Sequence, residues 1–165
     1  MPYGQSGTGA TNITIGSEPV ITTDRPIYLD SNILIYAMET DGERGILARR
    51  WLMQIDRARV RRVTSALTIV EVLPHPISIR DSVLVNGYRR LLTDRPTLRV
   101  LPISLKILFR ATELRADFGS ETPDAIHVAT ALIDGCGGFV TNDTRLKLPP
   151  TIARYGLSDV MDLYR

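Results

Sequence analysis

The chain has 165 residues, 44% of them hydrophobic and 23% charged, with a formal net charge of +2. Such a length supports one substantial core rather than two, and such a composition belongs to folded globular domains and not to disordered chains. The longest apolar runs, Ile33 to Met38 and Val128 to Ile133, fall well short of the roughly 20 residues that span a bilayer. The N-terminus has no basic segment leading into an apolar one, so a cytoplasmic location is the expectation. A single cysteine, Cys136, excludes an internal disulfide or a thiolate zinc cluster.

Residues 1–24 are rich in Gly, Ser and Thr without a sustained hydrophobic period, and read as an N-terminal extension. From Pro26 the pattern changes. Ile27-Tyr28-Leu29 reads as a brief buried strand that ends at Asp30-Ser31-Asn32 and runs into an apolar helix through Met38. Ile46, Leu47, Trp51, Leu52 and Ile55 recur at helical spacing, and residues 61–65 read as a second strand. A helix from Thr68 must stop at Leu73-Pro74-His75-Pro76, because proline cannot continue it, and another is expected over 79–92. Residues 98–103 form a third expected strand. A helix over 104–118 capped by Ser104 follows, then one over 122–134 that ends at Gly135. Residues 138–141 give a fourth strand, and the segment near 155–163 is expected to add a last one. Strands alternating with helices imply an α/β domain with a mostly parallel sheet covered on both faces, whose sites gather at the carboxyl ends of the strands.

Four acids fall where such a sheet presents ligands. Asp30 follows the first strand, although Asp-Ser-Asn before a helix is also ordinary N-cap chemistry. Glu71 stands three residues after Thr68, the spacing of a capping box. Asp124 follows Thr122-Pro123 at the start of a helix that is apolar nearly all round, where a carboxylate is costly unless a cation or donors meet it. It shares a narrow polar stripe with His127, which reads as a hydrogen-bonded structural histidine rather than a base. Asp143 lies in Thr-Asn-Asp-Thr, just past the fourth strand. Together the four can converge on one edge of the sheet.

In order along the chain, the blocks Ile27-Tyr28-Leu29-Asp30-Ser31-Asn32, Thr64-Ser65 with Glu71-Val72-Leu73, Thr122-Pro123-Asp124-Ala125-Ile126-His127-Val128-Ala129-Thr130-Ala131 and Phe139-Val140-Thr141-Asn142-Asp143 resemble the PIN-domain signature, specifically its VapC toxin branch. The resemblance covers about residue 26 to the C-terminus, which makes 25–165 the expected PIN domain. Where many relatives carry a further acid or aromatic past the fourth carboxylate, this chain has Thr144-Arg145-Leu146-Lys147. The resemblance implies a three-layer α/β/α fold, a divalent-metal endoribonuclease, frequent homodimers and inhibition by a small antitoxin protein.

Clustered carboxylates repel one another, and an oxygen-only donor set suits Mg²⁺ or Mn²⁺. Asp30, Glu71 and Asp124 are therefore expected to be the principal metal ligands, direct or through water, with Asp143 in support. Ser31, Asn32, Thr141 and Asn142 are expected to support the ligands or touch phosphate, and Arg57, Arg59, Arg61 and Arg62 form the densest basic run for RNA. A haloacid-dehalogenase-type phosphatase would need an acid two positions after Asp30, where Asn32 stands. The competing reading is a PIN-like module that binds RNA or a protein without cutting it.

Overall fold

The computed structural model describes residues 24–93 and 98–162; the expected N-terminal extension, apart from Asp24, lies outside them. Five strands form the sheet: β1 (Ile27–Leu29), β2 (Arg62–Ser65), β3 (Leu98–Leu101), β4 (Gly138–Val140) and β5 (Ala153–Tyr155). The helices are α1 (Ser31–Glu39), α2 (Glu43–Arg57), α3 (Leu67–Val72), α4 (Pro74–Ser78), α5 (Ser82–Thr93), α6 (Leu105–Phe118), α7 (Thr122–Ile133) and α8 (Leu157–Asp162).

The strand order is β3-β2-β1-β4-β5 and every pairing is parallel. Because side chains alternate across a strand, β1 sends Ile27 and Leu29 into one core and Tyr28 into the other. Strand β4 does the same, with Val140 on the first side and Phe139 on the second. Trp51, Ile55, Ile33, Leu34 and Tyr88 from α1, α2 and α5 fill the first layer, and Ile107, Leu114, Val128 and Ala129 from α6 and α7 fill the second. The result is the three-layer α/β/α arrangement. No helix among the described residues is long and apolar enough to cross a membrane.

The chain builds outward from β1 to β2 and β3, then returns to place β4 and β5 on the other side of β1. The order therefore reverses between β1 and β4, and the carboxyl ends of strands at such a reversal are the place where open α/β sheets hold ligands.

Three expected elements differ in detail. Pro74 ends α3 as anticipated, but it also starts the short helix α4, since its fixed φ suits a first helical turn. The next helix begins at Ser82 and not Ile79: Arg80 takes a left-handed φ of 57° that breaks the helical path, and the Asp81 side chain accepts the Leu84 N–H to start the new one. The last strand stops at Tyr155. Beyond it the Leu157 N–H is accepted by Asn142 Oδ1 and the Gly156 N–H by Asp159 Oδ2, and these caps turn 157–162 into α8.

Gly138 shows how tightly β4 is held. A Cβ there would stand 2.6 Å from Tyr155 Cε2 and 3.6 Å from Ile27 Cγ2. Gly138→Ala is expected to destabilise the fold by about 1–3 kcal/mol through overpacking. Urea unfolding should show a lowered midpoint with an unchanged m-value.

Candidate active site

Asp30 leaves β1 with its backbone N–H donated to Val140 O at 3.0 Å, so the ends of β1 and β4 are tied together. It occupies the N-cap position of α1 but its side chain caps nothing. The carboxylate instead accepts from Thr141 Oγ1 at 2.5 Å, Asn32 Nδ2 at 2.7 Å and Ser31 Oγ at 3.4 Å. The Thr141 hydroxyl also accepts the Asp143 N–H at 3.0 Å. One threonine thus fixes the acid of β1 and the loop that carries the acid after β4. Of the expected supporting residues, Ser31, Asn32 and Thr141 gather at Asp30, whereas the Asn142 side chain is taken up in capping α8.

The capping box anticipated for Glu71 does not form. The N-cap of α3 is Ala66, and the Thr68 hydroxyl pairs with Thr64 Oγ1 at 2.8 Å. Glu71 turns instead to the buried ring of His127, whose Nε2 lies 2.9 Å from Glu71 Oε2. His127 Nδ1 lies 2.6 Å from the Tyr28 hydroxyl, which accepts the Ser65 N–H at 2.9 Å. The structural histidine expected from the sequence is therefore the group that holds a candidate ligand, and Tyr28 stands behind it.

Asp124 follows the turn between α6 and α7 and not a strand, which corrects the simple picture of acids at strand ends. Glu121 takes the N-cap of α7 without a side-chain bond, and among the described residues no hydrogen bond reaches the Asp124 carboxylate. Asp124 and Asp143 share a polar pocket of about 380 Å³ with Glu121, Arg145 and Lys147. Arg145 donates its N–H to Asp143 Oδ1 at 2.9 Å and lies within 3.4 Å of it through Nε, and Lys147 Nζ donates to Phe118 O at 2.6 Å.

The four acids feel one another. Burial pushes Asp30 above the usual carboxylate range, with Glu71 adding to the rise and Thr141 and His127 opposing it. Burial also raises Asp124, and the charges of Asp143, Asp30 and Glu121 raise it further. Burial acts upward on Glu71 too, but the hydrogen bond and charge of His127, with a bond from Ser31, outweigh it and leave Glu71 lowered. Asp143 is lowered first by the Arg145 N–H, against an opposing effect of burial, with the Arg145 side chain and the charge of Arg154 adding to the fall. Among the described residues no three Asp, Glu, His or Cys side chains close into a group that could by itself hold a metal ion. The acids share an electrostatic field without forming a protein-only cage.

The basic run stands elsewhere. Arg57, Arg59 and Arg61 precede β2 at the amino edge of the parallel sheet, opposite the acids. Arg62 is buried and paired with Asp56, which removes it as an RNA contact. The cations that line the pocket of Asp124 and Asp143 are Arg145 and Lys147, in the segment where the chain departs from the family pattern, and Arg154 donates to the Asp143 carbonyl. An apolar cleft of about 470 Å³, lined by Leu34, Ala37, Met38, Ile46 and Met53, holds no comparable set of carboxylates.

The PIN domain family matches residues 27–150. The chain belongs to that family. No curated protein matches it in sequence. This PIN domain is similar in fold to a toxin-antitoxin complex from Klebsiella pneumoniae (24% identity, TM-score 0.58, covering 77% of this chain and 95% of that one). It is similar also to a DNA-bound VapBC from Salmonella typhimurium (18%, TM-score 0.61, 81% and 98%). A third is VapC20 of Mycobacterium tuberculosis, described as a sarcin-ricin loop cleaving toxin (13%, TM-score 0.60, 72% and 92%).

Asp124 gives a direct test of the crowding. An aspartate whose folded pKa is raised lowers stability as pH climbs through the window between its unfolded and folded values. Asp124→Asn is therefore expected to raise the melting temperature at neutral pH, with the gain vanishing below about pH 4, where the carboxyl is protonated in both states. Calorimetry at the two pH values measures it.

Proposed function

We propose that this PIN domain is a divalent-metal-dependent endoribonuclease that hydrolyses RNA phosphodiester bonds and serves as the VapC-type toxin of a toxin-antitoxin pair. The observation that carries the reading is the crowding of Asp30, Asp124 and Asp143, with Glu71 beside them, at the strand-order reversal. Two of these carboxylates are pushed above their ordinary range by burial and by their neighbours. Carboxylates held together at such a cost are relieved by a cation.

The donor set fits Mg²⁺ or Mn²⁺: every candidate ligand is a carboxylate oxygen, and Mg²⁺ commonly binds through one or two carboxylates and keeps waters in its remaining positions. That habit suits acids of which Asp124 and Asp143 share a pocket while no three close into a cage among the described residues. Asp30, Glu71 and Asp124 are the residues to hold the ion, with Asp143 in support. When bound, such an ion supplies Lewis-acid polarisation of a phosphoryl oxygen and activation of water. Thr141 and Asn32 keep Asp30 in one orientation by donating to it. Arg145 and Lys147 border the Asp124 and Asp143 pocket, where their charge can meet the phosphodiester that the acids alone would repel.

The solved VapBC and toxin-antitoxin complexes support a small antitoxin as partner, and the apolar cleft is the kind of surface that an amphipathic helix fills. A homodimer and a cytoplasmic place of action complete the reading. One observation also suits a module that binds without cutting, namely that no three acids form a closed donor group among the described residues. Against it stands the negative charge gathered where a polyanion would bind.

Incubation of the chain with total RNA, with and without chelator, separates the two. Cleavage is expected with Mg²⁺ or Mn²⁺ and is expected to disappear with chelator. Asp30→Asn is expected to lose more activity than the roughly 10–100-fold typical of a group that merely supports a ligand. Metal-independent cleavage, or an active Asp30→Asn, defeats the proposal. Arg145→Ala is expected to weaken RNA binding about equally across sequences and to reduce the salt slope of the binding constant by about one; a titration of labelled RNA against salt reads it.

A further inference from the structure

His127 is 3% exposed and has both ring nitrogens within hydrogen-bond distance of a partner. The reaction proposed above does not consume it. Its neighbours determine what it can do. Tyr28 lies in the middle of β1, fully buried, its ring stacked on Phe139 with centroids 4.6 Å apart. The Tyr28 oxygen already accepts the Ser65 N–H at the end of β2. Its own hydrogen then has His127 Nδ1 as an acceptor at 2.6 Å. When the imidazole is neutral it carries one N–H, and a hydrogen accepted at Nδ1 then places the ring's hydrogen on Nε2, 2.9 Å from Glu71 Oε2.

We propose that Tyr28 is a positioning residue: by donating to His127 Nδ1 it fixes the imidazole as an Nε2–H donor that holds the Glu71 carboxylate in one orientation beside Asp30. The chain of contacts runs from two sheet strands, through one ring, to a glutamate on a six-residue helix. Glu71 needs such help. It has no capping contact of its own, and a free glutamate samples many rotamers, which weakens any site that depends on it. Groups that orient a ligand through a histidine commonly matter as much as the ligand itself. The proposal rests on Glu71 being a ligand, which belongs to the nuclease reading, and its test is chosen to stand apart from cleavage.

The chain has two histidines, His75 and His127, so ¹⁵N NMR of the ring nitrogens in the metal-free protein can assign the His127 tautomer directly. The wild type is expected to show the Nε2–H form. Tyr28→Phe keeps the ring and its stacking but removes the donor, and is expected to give mixed tautomers. Mn²⁺ affinity, followed by electron paramagnetic resonance without substrate, should fall roughly tenfold, and kcat should fall with KM for RNA unchanged. His127→Gln retains an amide that can donate to Glu71 and should recover part of the Mn²⁺ affinity that His127→Phe loses. A wild-type ring with hydrogen on Nδ1, whether as the Nδ1–H tautomer or as an imidazolium with hydrogen on both nitrogens, overturns the proposal, and so does a Tyr28→Phe protein with unaltered tautomer and Mn²⁺ affinity. Should Tyr28→Phe not fold, the wild-type tautomer and the His127 pair decide. A wild-type chain that cuts no RNA would defeat the nuclease reading while the tautomer and Mn²⁺ titrations still judge Tyr28.

Discussion

Everything at the site depends on the reversal of strand order between β1 and β4. Two parallel strands side by side must end side by side, and the hydrogen bond from the Asp30 N–H to Val140 O extends that pairing one residue past the sheet. Asp30 and Thr141 are brought together by this alone, although 111 positions separate them in sequence. The Thr141 hydroxyl converts backbone proximity into side-chain geometry, since it donates to Asp30 and accepts from the Asp143 N–H. Asp124 arrives from the other layer, carried by the buried helix α7, which packs on β2.

Much of this was legible in the sequence, for a specific reason. Ile27-Tyr28-Leu29 before Asp30, and Gly138-Phe139-Val140 before Thr141, are short apolar runs closed by polar turn residues, and that pattern is local. Local cues misled where a long-range contact won. Thr68 and Glu71 have the spacing of a capping box, but Thr68 is buried beside Thr64, and Glu71 is claimed by a histidine 56 positions away. His127 shares a helical stripe with Asp124, yet its bonds go to Tyr28 and Glu71, neither on its own helix. No periodicity encodes such partners. Arg62 shows the same limit from the other side: it reads as part of a solvated basic run, and the alternation of β2 turns it inward to Asp56.

Arg145 carried a signal that the composition of its neighbourhood masked. Thr144-Arg145-Leu146-Lys147 looks like an ordinary polar turn, and its meaning depends on where the turn lies. Beside Asp124 and Asp143, the same two cations become the positive rim of an otherwise negative site. Clusters of arginine elsewhere in the chain are denser but stand at the amino edge of the sheet, so on the proposed nuclease reading position outweighs density in choosing the residues that would meet a polyanion.

The four acids are held in two opposed ways, and the contrast bears on what the site is for. Glu71 and Asp143 are answered from within the protein, by His127 with Ser31 and by Arg145, and both are held below their ordinary range. Asp30 and Asp124 are raised, first by burial and then by other acids. A fold under selection for stability alone has an easy remedy for Asp124, which makes no hydrogen bond among the described residues: an asparagine or alanine would remove the repulsion at no packing cost. The protein keeps the charge, and it holds the neighbouring Asp30 with donors from Thr141, Asn32 and Ser31. On the proposed nuclease reading a cation from outside relieves that repulsion, while Arg145 pairs with Asp143 and Lys147 donates to the Phe118 carbonyl. On that same proposed reading the inner acids take an ion and the rim cations a phosphate, a division that neither set of charges would produce alone.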